Sequence, residues 1–256
     1  MQTCPAGSST FPEIPWDVQK IVEVMTLWMF MFFLVGGQTA TMVPRVLGNE
    51  ALRLATYGHA LGYCICDLTN LLLTLTVITQ SVRPHKFWSM GLFDVKPTAS
   101  MLLWVAVSCL TFPIIDRLSH VSQAWFVQPP DALTSPLEQS ITYGNTAANV
   151  LYFFVVSVCT PVWEEAIFRG FLLSSLTKYM PAVAAIVASS LAFMVAHFSI
   201  QRSLYLTVLG IIFGFTFVKT RNLLTPILVH SFWNFYVFWK VRSRSCTCEK
   251  RVVMLQ

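Results

Sequence analysis

Long apolar stretches separated by short polar ones dominate the sequence, and this pattern indicates helices that cross a membrane. A helix needs about 20 apolar residues to cross about 30 Å of hydrocarbon. Five stretches come close to that standard, and two more are doubtful. We therefore predict an all-α polytopic membrane helix bundle with about seven transmembrane helices, within a range of six to eight. They cover residues 18–43, 52–79, 100–115, 149–173, 181–198, 203–218 and 223–239.

The amino-acid composition agrees with this pattern and excludes two classes of protein. The chain has 256 residues, of which 55% are hydrophobic and 11% are charged. A soluble domain carries about 25% charged residues, so 17 basic and 12 acidic side chains are too few to cover a water-soluble globule of this size. The high hydrophobic content also excludes intrinsic disorder, which requires low hydrophobicity.

Polar connections and the chain ends divide the sequence into four parts. We predict an extramembrane segment at 1–17, transmembrane helices and loops at 18–142, a second group of helices at 143–239 and a basic tail at 240–256. Residues 119–144 form the longest polar stretch and are expected to be an interfacial loop. Aromatic residues near the predicted helix ends are expected to anchor the protein at the membrane interface; they are Trp16, Trp88, Trp125, Tyr179 and Trp239.

The distribution of charge bears on possible partners. The formal net charge is +5, and five of the 17 basic residues lie in the 17-residue tail. A basic end can bind nucleic acid or lipid headgroups, and the apolar remainder of the chain favours headgroups. We therefore expect the lipid bilayer as a partner and no nucleic acid. The seven cysteines show no zinc-type spacing, and the first 17 residues do not resemble a removable targeting segment.

A few acidic residues lie inside apolar stretches, where ionised groups are costly. Asp67, Glu164 and Glu165 are the clear cases, and each would cost about 2.5–3.5 kcal/mol near the bilayer centre. Glu165 and Arg169 are i,i+4 neighbours on a helix and can form an ion pair. Glu164 is rotated by about 100° from Glu165 and is left for another partner. The alternative is a helix that crosses the interface and carries an ordinary surface ion pair.

Two further patterns place polar side chains on apolar helices. Phe193-x-x-x-His197 ends a run rich in small residues, and His230-x-x-x-Asn234 puts two polar side chains on one helical face. Two neutral donors that can point at one atom resemble an oxyanion hole. The alternatives are a capping or interfacial histidine in the first pattern and an interhelical hydrogen-bonding pair in the second.

Taken in order, the patterns Glu-Glu-x-x-x-Arg, Phe-x-x-x-His and His-x-x-x-Asn resemble the CAAX prenyl protease 2 and bacteriocin-processing family of intramembrane endopeptidases. The resemblance covers about residues 143–239, and the three motifs match at every defining position, including Gly170 after the arginine. Residues 1–142 carry no motif of the family that we can identify. The resemblance implies that the helices of 143–239 form the catalytic core.

The resemblance also implies roles for individual residues. Glu164 and His197 would activate a water molecule, His230 and Asn234 would stabilise the oxyanion, and Glu165 with Arg169 would position the cluster. These residue types suit that chemistry, because it needs a carboxylate base, an imidazole and paired donors. Glu164, His197 and His230 could instead bind zinc. We favour water activated by glutamate, which requires no cofactor, because Asn234 suits hydrogen bonding better than metal ligation.

Signatures of other intramembrane proteases are missing from the sequence. It contains no His-Glu-x-x-His, no Gly-x-Ser-Gly and no Gly-Tyr/Leu-Gly-Asp motif. Asp67 has no second intramembrane aspartate to pair with, so we expect it to form hydrogen bonds between helices. Gly210 and Gly214 have the small-x-x-x-small spacing of close helix packing.

The sequence leaves two functions open. The first is an endopeptidase that acts on a membrane-associated protein, and the second is a non-proteolytic membrane factor on the same fold that stabilises or delivers a partner protein. Stretches 163–173, 175–181, 196–202 and 221–224 look most like plant or algal plastid members of the family. That resemblance implies a thylakoid or envelope membrane and makes prenyl processing less expected, although no transit peptide is evident.

Overall fold

The computed structural model describes residues 13–47, 51–83, 95–125 and 146–253, and eight helices account for most of them. They are α1 (Val18–Leu47), α2 (Ala51–Ser81), α3 (Ala99–Cys109), α4 (Phe112–Trp125), α5 (Thr146–Leu176), α6 (Ala182–Ala196), α7 (Ser203–Thr220) and α8 (Leu224–Val253). The described residues contain no β-strand, which confirms the predicted all-α class.

Each of the seven apolar stretches is helical, but the third consists of two helices. α3 and α4 meet at a bend of 43°, where Pro113 removes a backbone donor and is tolerated in the first turn of the new helix. The interfacial loop predicted from residue 119 is wrong as far as Trp125, because these residues continue α4. Residues 126–144 of that loop, and residues 84–94 of the preceding connection, lie outside the described part of the chain.

Several helices are long and apolar enough to cross a membrane. Four meet that standard within the described ranges, and the bent pair α3–α4 makes a fifth when it is counted as one span. α6 has 15 residues and is too short by the same standard. Large apolar side chains also cover the outer faces, such as Phe30 and Leu72, where hydrocarbon rather than water is the solvent. The chain is an integral, multi-pass membrane protein.

α5 lies at the centre of the bundle, packed against both halves of the chain. Trp163 contacts Trp28 of α1, with ring centroids 6.1 Å apart, and the indole of Trp28 donates to Thr74 of α2. The segment before α1 also reaches α5, since the Trp16 indole nitrogen donates to Ser175 Oγ at 2.9 Å. Trp16 is only 3% exposed, so its predicted role as an interfacial anchor is wrong. Its ring is buried inside the protein, and its indole N–H is hydrogen-bonded to Ser175.

The remaining aromatic anchors differ from Trp16. Trp125 and Tyr179 are exposed at or just after helix ends, as the interfacial prediction requires, whereas Trp239 is exposed but lies within α8. Trp88 lies outside the described residues. α8 continues beyond Trp239 to Val253, so most of the predicted basic tail extends a helix.

α6 and α7 pack closely because two glycines of α7 face small or branched residues of α6. A Cβ atom on Gly210 would lie 2.8 Å from Ser190 Cβ, and one on Gly214 would lie 3.1 Å from Ile186 Cγ2. The structure therefore confirms the packing role predicted for the Gly210-x-x-x-Gly214 pair.

We predict that Gly210→Ala destabilises the folded protein, because the added methyl group cannot fit without moving α7 away from α6. The expected loss is about 1–3 kcal/mol in the free energy of unfolding, measured by unfolding of the purified protein in detergent. Gly36→Ala is the matched control, since a Cβ there meets nothing within 4 Å and alanine favours a helix. Equal stabilities of the two variants would contradict the packing role of Gly210.

Candidate active site

The backbone of α5 departs from regular helix on both sides of the two adjacent glutamates. Val155–Cys159 and Ala166–Leu173 are π-helical, and the α-helical turn Thr160–Glu165 lies between them. Wide turns of this kind shift the faces that side chains present, and they occur often at functional sites. Glu164 and Glu165 therefore lie on a short α-helical turn whose orientation is set by its neighbours.

Glu165 and Arg169 form the ion pair that their i,i+4 spacing predicts. Arg169 Nη1 donates to Glu165 Oε1 at 3.0 Å, and both side chains are fully buried. The other terminal nitrogen of Arg169, Nη2, donates to the carbonyl of Gly210 in α7 at 3.2 Å. The pair thus joins α5 to α7, and the alternative of a solvent-exposed surface pair is wrong.

His230 of α8 completes this cluster. Its Nδ1 donates to Glu165 Oε1 at 2.9 Å, and its Nε2 lies 3.8 Å from Glu164 Oε2. Glu164 Oε2 is buried and has no hydrogen-bond partner among the described residues. Glu165 Oε2 is likewise without a partner in the described part of the chain, so the two glutamates differ in that a guanidinium and an imidazole hold Glu165 through its Oε1.

Aromatic rings separate and orient the polar groups. The Phe193 ring has its centroid 4.6 Å from the Arg169 guanidinium carbon and 4.6 Å from the centroid of the His197 ring. Phe213 stacks on the His230 ring at 4.7 Å. Flat contacts of a guanidinium with aromatic faces stabilise its charge in a dry site. These rings help to keep Arg169 paired with Glu165 while they hold both histidines in place.

The hydrogen bond of His197 defines which of its ring nitrogens is free. Nδ1 lies 2.9 Å from the carbonyl oxygen of Phe193. A carbonyl oxygen only accepts, so Nδ1 carries the hydrogen and Nε2 is the nitrogen that can take a proton. His197 follows the last residue of α6 and caps it, as the capping alternative proposed, and this same bond leaves Nε2 without a hydrogen.

Asn234 contacts α5 about two turns before the glutamates. Its Nδ2 donates to the carbonyl oxygen of Val156 at 2.8 Å. That oxygen has lost its ordinary helical donor, because the Thr160 amide bonds to Val155 in the π-turn and residue 161 is a proline without an N–H. Asn234 thus forms a hydrogen bond between helices, as the alternative interpretation proposed. The second N–H of its amide group takes no part in this bond.

The structure brings most of the predicted site residues together. Glu164, Glu165, Arg169 and His230 form one contact cluster, and His197 shares the Phe193 ring with His230. Asn234 approaches the same stretch of α5 but is directed at Val156 rather than at the target of His230. Phe213 and the Gly210 carbonyl were not predicted; the glycine spacing indicated close packing but no hydrogen bond.

Asp67 lies beside this cluster and forms hydrogen bonds between helices, as predicted. Its Oδ1 accepts from Trp163 Nε1 at 2.9 Å and from Thr160 Oγ1 at 3.2 Å. Across the described ranges, no three His, Cys, Asp or Glu side chains are grouped so that they could hold a metal ion. The zinc set of Glu164, His197 and His230 is therefore not assembled, and we derive no step through a metal.

Comparison with known proteins defines the family. Residues 146–236 match the family described as Type II CAAX prenyl endopeptidase Rce1-like. This match supports the CAAX prenyl protease 2 and bacteriocin-processing family for these residues, which are about a third of the chain. This confirms the resemblance that the three motifs indicated, and all six predicted site residues fall inside the matched range.

Two curated members show how far the similarity extends. The chain is 30% identical over 87 residues to the putative membrane peptidase YdiL of Bacillus subtilis (strain 168), which is 34% of this chain and 36% of that protein. It is 29% identical over 93 residues to the membrane-embedded CAAX protease MroQ of Staphylococcus aureus (strain USA300), covering 34% of this chain and 38% of that protein. The chain thus spans little more than a third of these relatives. No solved structure matches.

We predict that Arg169→Met strongly destabilises the family domain, because it leaves the Glu165 carboxylate buried without its guanidinium partner. Breaking a buried ion pair on one side costs about 3–5 kcal/mol, which unfolding of the purified protein in detergent would measure. The double variant Glu165→Gln/Arg169→Met is the control and should recover much of the loss, since the unpaired charge is removed. A single variant as stable as the wild type would contradict the structural role of the pair.

Proposed function

We propose that this protein is an intramembrane endopeptidase that hydrolyses a peptide bond of a membrane-associated protein. The family membership of residues 146–236 supports a peptidase, and the relative named MroQ is a membrane-embedded CAAX protease. The proposal rests on the arrangement of polar groups inside the bundle, because groups that are costly to bury are retained where they perform chemistry.

The observation that carries the proposal is the unequal treatment of the two adjacent glutamates. Glu165 Oε1 accepts from both Arg169 and His230, so this carboxylate holds the cluster together, although its Oε2 has no partner among the described residues. Glu164 is 7% exposed and its Oε2 has no hydrogen-bond partner in the described part of the chain. A carboxylate with few stabilising partners is the stronger base, so Glu164 is the residue suited to take a proton from water.

We propose the following course for the hydrolysis. Glu164, assisted by His197 Nε2, removes a proton from water as the water oxygen bonds to the scissile carbonyl carbon. The carbonyl oxygen becomes an oxyanion, which accepts hydrogen bonds from the second N–H of Asn234 and from His230 when its Nε2 is protonated. Collapse of the tetrahedral intermediate breaks the C–N bond, and the leaving amine takes the proton held by Glu164 or His197.

We infer the substrate class only as a protein or peptide that reaches the site from the membrane. The plastid location also stays a prediction, based on the resemblance of stretches such as 175–181 and 196–202 to plastid members. Fractionation of thylakoid and envelope membranes from a source organism, with an antibody against the chain, would test this location.

We expect Glu164→Gln and His197→Ala each to lower cleavage by about 10²–10⁴-fold, because each removes a group that transfers a proton. Mass spectrometry of protein termini, in membranes from cells that lack the chain and carry one variant, would measure the loss of cleaved products. Glu23→Gln and His120→Ala are matched controls, since both side chains are exposed. If both site variants correct the defects of cells that lack the chain as fully as wild type does, the proteolytic proposal fails and a non-proteolytic factor is favoured.

We expect purified protein freed of zinc to keep its cleavage activity, because the preferred mechanism uses a glutamate base and no metal. Elemental analysis and cleavage before and after treatment with a chelator would measure this. Cleavage that disappears with the metal and returns when zinc is restored would overturn the glutamate mechanism in favour of a His₂Glu zinc site.

A further inference from the structure

Asp67 of α2 is a buried acidic side chain that the proposed reaction does not use. It is 5% exposed and lies outside residues 146–236, which match the family. A carboxyl group at such a depth carries a substantial insertion cost. Both of its hydrogen-bond donors come from α5, and its Oδ2 has no partner among the residues described. Its contacts therefore join α2 to the helix that carries Glu164.

The two donors bracket the turn that precedes Glu164. Thr160 begins the α-helical turn, and Trp163 is the residue directly before Glu164. Both donate to the same oxygen, Asp67 Oδ1, at 3.2 and 2.9 Å. Two bonds to one atom fix the rotation of this turn about the axis of α5 more tightly than one bond does. That rotation decides where the Glu164 carboxylate points.

The turn needs such a restraint because of the backbone around it. It contains only six residues, and π-helical segments flank it on both sides. Pro161 supplies no backbone donor to the preceding segment. The Trp163 ring is held by Trp28 and Phe32 of α1, at centroid distances of 6.1 and 5.8 Å, so its indole N–H has a defined direction. Asp67 lies where that N–H points.

We propose that Asp67 is a positioning residue, which orients Glu164 for proton transfer through its hydrogen bonds to Trp163 and Thr160. This inference rests on the proposed function, since it gives Asp67 a role in the reaction of Glu164. Asp67 supplies the acceptor oxygen and does not touch the reacting atoms. The essential property is the acceptor at Oδ1, because both bonds are made there.

The test compares Asp67→Asn with Asp67→Leu. Asparagine keeps a carbonyl oxygen that accepts both bonds, whereas leucine has a similar branched shape without an acceptor and is more favourable in a membrane. Trp163→Phe removes the indole donor from the other side. Asn70→Leu is the matched control, since Asn70 is a buried polar residue of α2 whose amide contacts Cys66 of its own helix at 3.8 Å.

The readout is the set of protein termini that wild type produces and Glu164→Gln does not, measured in membranes that contain equal amounts of each variant. We expect Asp67→Leu and Trp163→Phe each to lower their formation by about 10–100-fold, the effect of a small displacement of a reacting group. We expect Asp67→Asn to form these termini at a level within about threefold of wild type. We expect Asn70→Leu to form them at the wild-type level. The double variant Asp67→Leu/Trp163→Phe should be no worse than the more impaired single variant, because the Trp163–Asp67 bond that Trp163→Phe removes is already lost in Asp67→Leu.

The outcomes separate this inference from the function on which it rests. If wild type and Glu164→Gln produce the same termini, the proposed function itself fails. If they differ and Asp67→Leu cleaves like wild type, the positioning role of Asp67 is overturned. Equal impairment of Asp67→Asn and Asp67→Leu would also overturn it, because the acceptor at Oδ1 would then not be the property that matters.

Discussion

The buried ion pair between Glu165 and Arg169 is the interaction on which the rest of the site depends. Neither side chain is exposed, and neither would be tolerated alone at this depth, because an unpaired charge in a membrane interior is strongly unfavourable. The pair forms within one helix, but its remaining bonds reach His230 and the Gly210 carbonyl. Satisfying two charges in α5 therefore determines how α7 and α8 must lie against it.

Close approach of the helices makes those bonds possible. Gly210 lies against Ser190 of α6, and a larger residue there would move away the backbone carbonyl that Arg169 needs. Small residues are a general means of bringing helix backbones together in lipid, where water does not drive association. Packing and charge neutralisation are thus coupled at one position, so a change made to Gly210 for packing reasons also affects the electrostatics of the site.

The irregular backbone of α5 separates the roles of two neighbouring glutamates. In a uniform helix both side chains would extend from one continuous backbone, differing only by rotation. Here π-helical segments enclose the turn that carries both, and side chains from other helices, Asp67 and Asn234, bind the polar groups of that region. Strain and unsatisfied backbone groups are typical of functional sites. The division between a neutralised and an available carboxylate follows from this local arrangement.

The sequence alone was sufficient for the membrane class, the seven helical stretches and the ion pair of Glu165 with Arg169. These depend on apolar length and on i,i+4 spacing, which are local properties of the chain. Only the tertiary structure decided that His230 binds Glu165 across 65 residues, that Arg169 reaches Gly210 across 41, and that Asp67 holds Trp163 across 96. It also decided that Trp16 is buried and that Asn234 bonds to Val156. Contacts at such separations arise from helix packing and from a π-turn that no short pattern in the sequence specifies.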